Sequence, residues 1–550
     1  MARERGSSRS WWGFIVILLV AAALRMSGVA WDGGIGAHPD ERYLVGVAEE
    51  MARRHEWNPF TVDASFPYGH VPLYLFLLLG GGDRLMAARL LTGLLDVGTV
   101  AWTAALTRIL TAGGRNRRRS GGALVAALFL AVMPLHVQQA HFATTDVPLT
   151  FFATGALLFA ARSVVRRQRS GAAEYLLAGI GAGLALGCKA GAALLLIPVA
   201  LAGIPGAGNR RGRIRRAAGA LGVALATFAV TNPFAVLELP RFLTHVAAQA
   251  ALARGAILVP YTLQYRGTLP YLYPIVQQLV WGMGPVLGLL GFGGLAWTVA
   301  RAARGWLSPT EWVVLAWALP FFAFTGGLYV KFPRYLLSLM PVLAVYGARW
   351  IVTMGRELAT GVLFTLALLL AALPSLALVG SYGRPHPWVA ASEWIRAHLP
   401  PGSVIAVEEW DHPLPLDAEG YALRVLPIFE PEREEKEREM ASVLAEADAV
   451  VVASRRGYGA LARWPDRFPT TLSHYRALFA GAREFVAVGC WGRWPSLAGL
   501  SLADDPFGAA DLPLPHPSCR SAGVWFRLPC LDESFVVYDH PEVVIFVASR

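Results

Sequence analysis

Hydrophobic residues in this chain come in long runs rather than at strand or amphipathic-helix spacing, and runs of about 20 residues are what a bilayer-crossing helix needs. They lie near residues 11–30, 84–111, 121–136, 147–164, 173–188, 190–206, 217–236, 274–300, 312–330, 335–353 and 359–380, which predicts about eleven transmembrane helices. The first run follows Arg3, Arg5 and Arg9 as a signal peptide would, but Leu24-Arg25-Met26 offers no small-residue cleavage site, so it is expected to stay as a helix. Between the first two runs, Tyr43, Leu44, Val47 and Met51 recur on one helical face, predicting an amphipathic helix lying in the membrane interface. After residue 380 the pattern changes. Helical stretches at 388–395 and 430–447 alternate with strand-like runs at 404–407, 449–452, 485–488, 535–538 and 543–546, the signature of a small α/β domain. The expected organisation is a transmembrane module over 1–380, with a first outer loop at 31–71, followed by a soluble α/β domain over 381–550.

Composition agrees with this reading. Of the 550 residues, 55% are hydrophobic and 16% charged, and the mean hydropathy is +0.45, whereas a soluble domain carries about 25% charge. The net charge of +11 does not indicate a nucleic-acid partner, because the basic residues sit in short clusters between apolar runs. Arg115, Arg117, Arg118 and Arg119 fill one loop; Arg162, Arg166, Arg167 and Arg169 another; Arg210, Arg211, Arg213, Arg215 and Arg216 a third; Arg301 with Arg304, and Arg349 with Arg356, the last two. Such clusters mark cytoplasmic loops. The N-terminus shares their side in a cell (inner) membrane, and an odd number of spans places the C-terminal domain outside the cytoplasm. Of the four cysteines, Cys188 lies in an apolar run, Cys519 with Cys530 is the expected disulfide, and Cys490 is left over.

Candidate chemistry collects on the outer face. Asp40 and Glu41 follow the first span in Ala37-His38-Pro39-Asp40-Glu41-Arg42-Tyr43, and Asp146 follows His141 in a turn before the fourth. Each acid has a plain alternative role as a helix N-cap. Lys189 falls between two apolar runs, and Lys331 and Arg334 occupy one turn; all three run against the positive-inside trend. A charge at membrane depth is a functional candidate by default, although snorkelling to headgroups is the plain alternative. Carboxylates and cations at one interface suit a lipid-phosphate substrate: cations hold the phosphate and a carboxylate takes the proton of an incoming hydroxyl.

The outer Asp-Glu pair, His141-Phe142-Ala143-Thr144-Thr145-Asp146-Val147-Pro148-Leu149, Gly187-Cys188-Lys189 and Lys331-Phe332-Pro333-Arg334-Tyr335-Leu336, in that order across roughly residues 11–380, resemble the GT-C glycosyltransferases that include protein O-mannosyltransferases and lipid A aminoarabinose transferases. Glu408-Glu409-Trp410-Asp411 and Tyr538-Asp539-His540-Pro541 are similar to the extracytoplasmic domain of prokaryotic members whose acceptor is unassigned. The resemblance implies a polyprenyl-phosphate-linked sugar as donor, Asp40 as general base, Glu41 as its companion, Asp146 as a second carboxylate, and Lys189 with Arg334 as the phosphate clamp, with Lys331 beside them. His38 and His141 are candidates to line the site. Some members hold a divalent metal, for which these histidines and acids could supply ligands, but no spacing demands one and no cofactor is required. Protein-mannosylating members carry a soluble domain in a middle loop that is not visible here, which counts against a protein among the acceptors left open, a glycan, lipid or protein. Trp410, Asp411 and His412 either face the catalytic loop or end a strand. The competing reading is a transporter or flippase of lipid-linked sugars, with Lys189 and Asp146 lining its pathway; the internal repeats common in transporters are not seen. A non-enzymatic scaffold would bind no donor.

Overall fold

The computed structural model describes residues 2–80, 82–111, 121–165, 171–204, 210–354, 361–482, 484–520, 524–527 and 531–549. Arg115, Arg117, Arg118, Arg119, Arg166, Arg167, Arg169, Arg356 and Cys530 lie outside the described residues. The chain divides into two units. The first comprises Met1–Val29, His38–Ala251 and Pro270–Ser375; the second comprises Ala30–Ala37, Leu252–Leu269 and Leu376–Arg550.

The first unit is helical, and every apolar window contains helix. Among the described residues, five helices are long and apolar enough to cross a membrane: Arg84–Thr111, Asp146–Val165, Arg210–Thr231, Pro285–Ala303 and Pro333–Met354. The pair Gly121–Ala131 and Pro134–Ala140, bent by 61°, is together apolar enough to form a broken span or a re-entrant loop, and shorter apolar helices cover Trp11–Met26, Ala173–Leu186, Ala190–Ala202 and Leu368–Ser381. Several windows that predict a continuous helix are interrupted. Pro134 has no amide hydrogen to continue the preceding helix, and Gly284, at φ +76° before Pro285, separates a π-turn over Gln278–Gly282 from the next helix. The window at 335–353 opens as a 3-10 turn, Pro333–Leu339.

A buried polar network stabilises these breaks. Arg25 and Asp96 are fully buried and paired at 2.6 Å. The Arg25 guanidinium also donates to the carbonyls of Ala131 (2.9 Å) and Leu130 (3.3 Å), which end a helix and would otherwise lack partners. His136 bonds Asp96 Oδ1 at 2.8 Å through Nδ1, and its Nε2 reaches the Leu337 carbonyl at 3.3 Å. Thr150 pairs with Ser338 at 2.8 Å, and Gln278 donates to the Pro333 carbonyl at 2.8 Å. The turn carrying Arg334 is thus held from three sides.

The amphipathic helix forms at Pro39–Arg54, but its apolar face is covered by protein rather than laid on lipid. Leu44, Val45, Val47, Ala48 and Met51 pack with Phe60, Phe66, Leu73 and Phe76.

In the second unit, β1 (Val404–Glu408), β2 (Ala422–Leu426), β3 (Ala449–Val452), β4 (Phe485–Trp491), β5 (Ser496–Leu497), β6 (Leu500–Ala503), β7 (Val524–Arg527) and β8 (Val543–Ala548) form two sheets. The larger has the order β2-β1-β3-β8-β4, parallel from β2 to β3 and antiparallel at β8. It packs on a core that includes Leu444, Tyr458, Tyr475, Phe479 and Phe546, with helices Pro387–His398 and Glu434–Glu446 near their expected places. Residues 535–538, expected as strand, instead complete the helical turn Glu533–Val536 and the turn after it, and Asp532 starts that helix by accepting the Ser534 amide at 2.9 Å. Cys519 pairs with Cys490, not with Cys530. The 3-10 turn Pro517–Cys519 docks on β4, where the Cys490 amide donates to Ser518 at 2.8 Å and the two cysteine Cα atoms come within 4.9 Å. Trp410, Asp411 and His412 follow the end of β1, where Asp411 accepts the Ser454 hydroxyl and the His412 ring lies tilted against Trp388, with ring centroids 4.5 Å apart.

Replacing Asp96 by Leu strands the Arg25 charge in a buried site, a change that costs about 3–5 kcal/mol when one partner of a buried pair is removed. Thermal unfolding of the purified variant should show a clearly lowered Tm; wild-type stability would show that the network does not hold these helices.

Candidate functional site

The site is assembled by close backbone approach. Gly69 lies so near Gly187 that a β-carbon there would collide with the Gly187 carbonyl oxygen, and Val71 donates its amide to the same oxygen at 3.1 Å. The segments that carry Tyr68 and Lys189, far apart in sequence, are thereby held together. Asp146 opens its helix, and the Pro333–Leu339 turn presents Arg334.

Asp40 is not a helix cap. His38 occupies the N-cap position, Pro39 begins the helix, and no side chain caps it. The Asp40 carboxylate instead accepts the Tyr68 hydroxyl on Oδ1 at 3.0 Å and pairs through Oδ2 with Arg334 Nη2 at 3.1 Å. Arg334 Nε lies 3.8 Å from Asp146 Oδ2, and Lys189 Nζ donates to Asp146 Oδ1 at 2.9 Å. Lys189 also sits 5.0 Å from the Tyr335 ring centroid. Asp40, Arg334, Asp146 and Lys189 thus form a line of alternating charge, with Arg334 between the two acids. Burial pushes the Asp40 carboxyl up; Arg334 foremost, then His38, the Tyr68 hydroxyl and Lys189, draw it down, and the net position is below the ordinary carboxylate range.

The other expected site residues lie in different surroundings. Glu41 is fully buried and holds Arg89 through two oxygens, at 2.6 and 2.9 Å, while accepting the Ala143 amide at 2.8 Å. It therefore fixes the turn that leads to Asp146. His38 is buried with its ring 4.8 Å from that of Phe142. His141 contacts the carbonyls of Val137 at 2.7 Å and Ser27 at 3.0 Å through its two ring nitrogens. Lys331 is buried and donates to the Tyr329 carbonyl at 2.9 Å.

These residues do not fit a divalent metal bound by both acids, because the Arg334 guanidinium stands between them and both nitrogens of His141 face carbonyl oxygens. Among the described residues, one group of three ligating side chains, Cys490, Cys519 and Glu542, lies in the second unit; its two sulfurs form the disulfide.

Sequence reasoning missed Tyr68, Arg89 and the Arg25–Asp96–His136 network. The last two carried a readable signal, a charged residue inside an apolar run. Tyr68 carried none, being one aromatic among several in its loop.

Residues 72–236 match the family model described as dolichyl-phosphate-mannose-protein mannosyltransferase. No curated protein sequence matches the chain. Among solved structures, the oligosaccharyltransferase of Archaeoglobus fulgidus in the apo form aligns with a TM-score of 0.51 at 16% identity, covering 85% of this chain and 72% of that one. The same organism's oligosaccharyltransferase AglB, in complex with an inhibitory peptide and a dolichol-phosphate, aligns at 0.50 and 17% identity, covering 86% and 72%. ArnT from Cupriavidus metallidurans bound to undecaprenyl phosphate aligns at 0.48 and 18%, covering 82% and 95%. At such identities the archaeal enzyme establishes a shared fold and no more. The resemblance read from the motifs is borne out: the mannosyltransferase family model spans the segment containing Asp146 and Lys189, and the chain has the fold of an oligosaccharyltransferase.

Proposed function

We propose that this chain is a multi-pass membrane glycosyltransferase that moves a sugar from a polyprenyl-phosphate-linked donor to an acceptor hydroxyl outside the cytoplasm. The arginine-rich loops support placing its N-terminus in the cytoplasm of a cell bearing it in the inner membrane. One observation carries the reading: Arg334 is shared between Asp40 and Asp146, with Lys189 on the far side of Asp146. The family match and the dolichol-phosphate held by the archaeal protein add support.

The chemistry follows from charge balance. A glycosidase needs an acid because a sugar alkoxide leaves poorly; a lipid phosphate leaves as an anion without a proton. Its negative charge grows as the bond to the anomeric carbon breaks, so fixed cations stabilise the transition state more than the ground state. In the mechanism, the donor phosphate takes over Lys189 and Arg334, with Lys331 in the same turn adding positive potential. Asp40, released from its pair with Arg334, becomes a stronger base just where the acceptor hydroxyl arrives. The hydroxyl oxygen bonds to the anomeric carbon as its proton passes to Asp40 and the bonding pair leaves with the phosphate, inverting the configuration. Glu41 and Arg89 act as positioning residues for the Asp146 turn.

Asp40→Asn keeps shape and hydrogen bonding but cannot take the proton, so transfer should fall roughly 10²–10⁴-fold while donor binding persists; near wild-type turnover would remove Asp40 from this role. Lys189→Ala should weaken donor binding by roughly ten- to hundredfold, the loss of one charged hydrogen bond, read as a rise in KM or Kd for the lipid donor. Lipid translocation without sugar transfer by the purified protein would favour a flippase instead. Because Tyr68 holds the Asp40 carboxyl down, Tyr68→Phe should raise it. Activity needs the ionised form, so the acid limb of the kcat/KM profile, which reports the free enzyme, should move to higher pH; an unmoved limb would show that Asp40 is not the titrating base.

A further inference from the structure

We propose that the opposite end of the helical unit carries a second lipid site, for the phosphodiester headgroup of an anionic glycerophospholipid. A cavity of 610 Å³ opens there, lined among others by Val165, Trp297, Arg301, Trp306, Glu311 and Arg349. Val165 ends the helix that Asp146 begins, which separates the cavity from the charge cluster by roughly 28 Å at 1.5 Å per residue. It is therefore not an extension of the donor site.

Three features choose the ligand. Two arginines face one acid: Arg349 Nη2 donates to Glu311 Oε1 at 2.7 Å, and Arg301 Nη1 donates to the same oxygen. Among the described residues, these two arginines and one acid leave one positive charge over. Arg349 is only 9% exposed, and its Nη1 has no hydrogen-bond partner among the described residues, although a buried guanidinium donor normally has one. Arg301 Nη2 is already engaged by the Trp306 carbonyl at 2.9 Å, so Arg349 is the side chain with a donor to offer. An anionic oxygen supplies what that donor lacks. Second, Trp306 and Trp312 are 64% and 47% exposed at the ends of apolar helices, the arrangement of an interfacial aromatic belt at headgroup depth. Third, the volume suits a polar headgroup with the start of its chains, and basic pockets between helix ends on the arginine-rich side take anionic lipid headgroups.

The test uses the full purified chain in detergent and follows its thermal unfolding with added phosphatidylglycerol, phosphatidylcholine or inorganic phosphate. Phosphatidylglycerol should raise Tm well beyond phosphatidylcholine, and inorganic phosphate should leave it unmoved. Arg349→Gln should abolish the selective shift. Thr353→Trp, which fills the cavity from its lining without touching the arginines, should do the same and decides the matter if Arg349→Gln does not fold. Equal shifts from the two lipids, an equal shift from inorganic phosphate, or a selective shift that survives Thr353→Trp would each overturn the proposal.

Discussion

The site depends on one guanidinium shared by two carboxylates. Asp40 and Asp146 come from distant segments and would repel each other if left facing without a cation; Arg334 lies within 3.1 Å of one and 3.8 Å of the other. Much of the helical unit serves to fix that guanidinium. Its turn is tied to the bundle at Pro333, Leu337 and Ser338, and through His136 to the buried Asp96–Arg25 pair, which itself closes the broken helix at Leu130 and Ala131. A displacement of any of these supports would move Arg334 relative to both acids.

An ion pair at the proposed reacting centre looks ill suited to a base, since a cation partner keeps a carboxylate ionised but weakly basic. It suits a donor that carries its own negative charge. While the site holds no phosphate, the cations are neutralised by Asp40 and Asp146 and the cluster remains compact. Under the proposed mechanism, a phosphate that displaces those carboxylates raises the basicity of Asp40 only when there is something to transfer. In the proposed mechanism, donor binding and activation of the acceptor are coupled through Arg334.

Much of this is legible in the amino-acid sequence because the decisive groups are charges that interrupt apolar runs. Lys189, Arg334 and Asp146 stand out against their neighbours for that reason, and the order of their motifs carries the family resemblance. What stays hidden are residues whose meaning depends on packing. Glu41 adjoins Asp40 in sequence, but consecutive helix positions do not face the same way, and Glu41 turns to Arg89 instead. Arg25, Asp96 and His136 do interrupt apolar runs, but a hydropathy window averages over single charges and absorbs that signal into the spans. Pro134 and Gly284 break helices that composition alone reads as continuous. In the second unit, an apolar run of four residues cannot be assigned between strand and helix by period, and Asp532 decides it at 535–538. The disulfide partner is misassigned from sequence because spacing says nothing about which turn docks on β4.

The central claim is the exchange of partners at Arg334, and a structure of the purified protein with bound polyprenyl phosphate tests it most directly. The account predicts phosphate oxygens within hydrogen-bond distance of Lys189 Nζ and the Arg334 guanidinium, with the Asp40 carboxylate freed from Arg334. A phosphate bound elsewhere, with the Asp40–Arg334 pair intact, would contradict it.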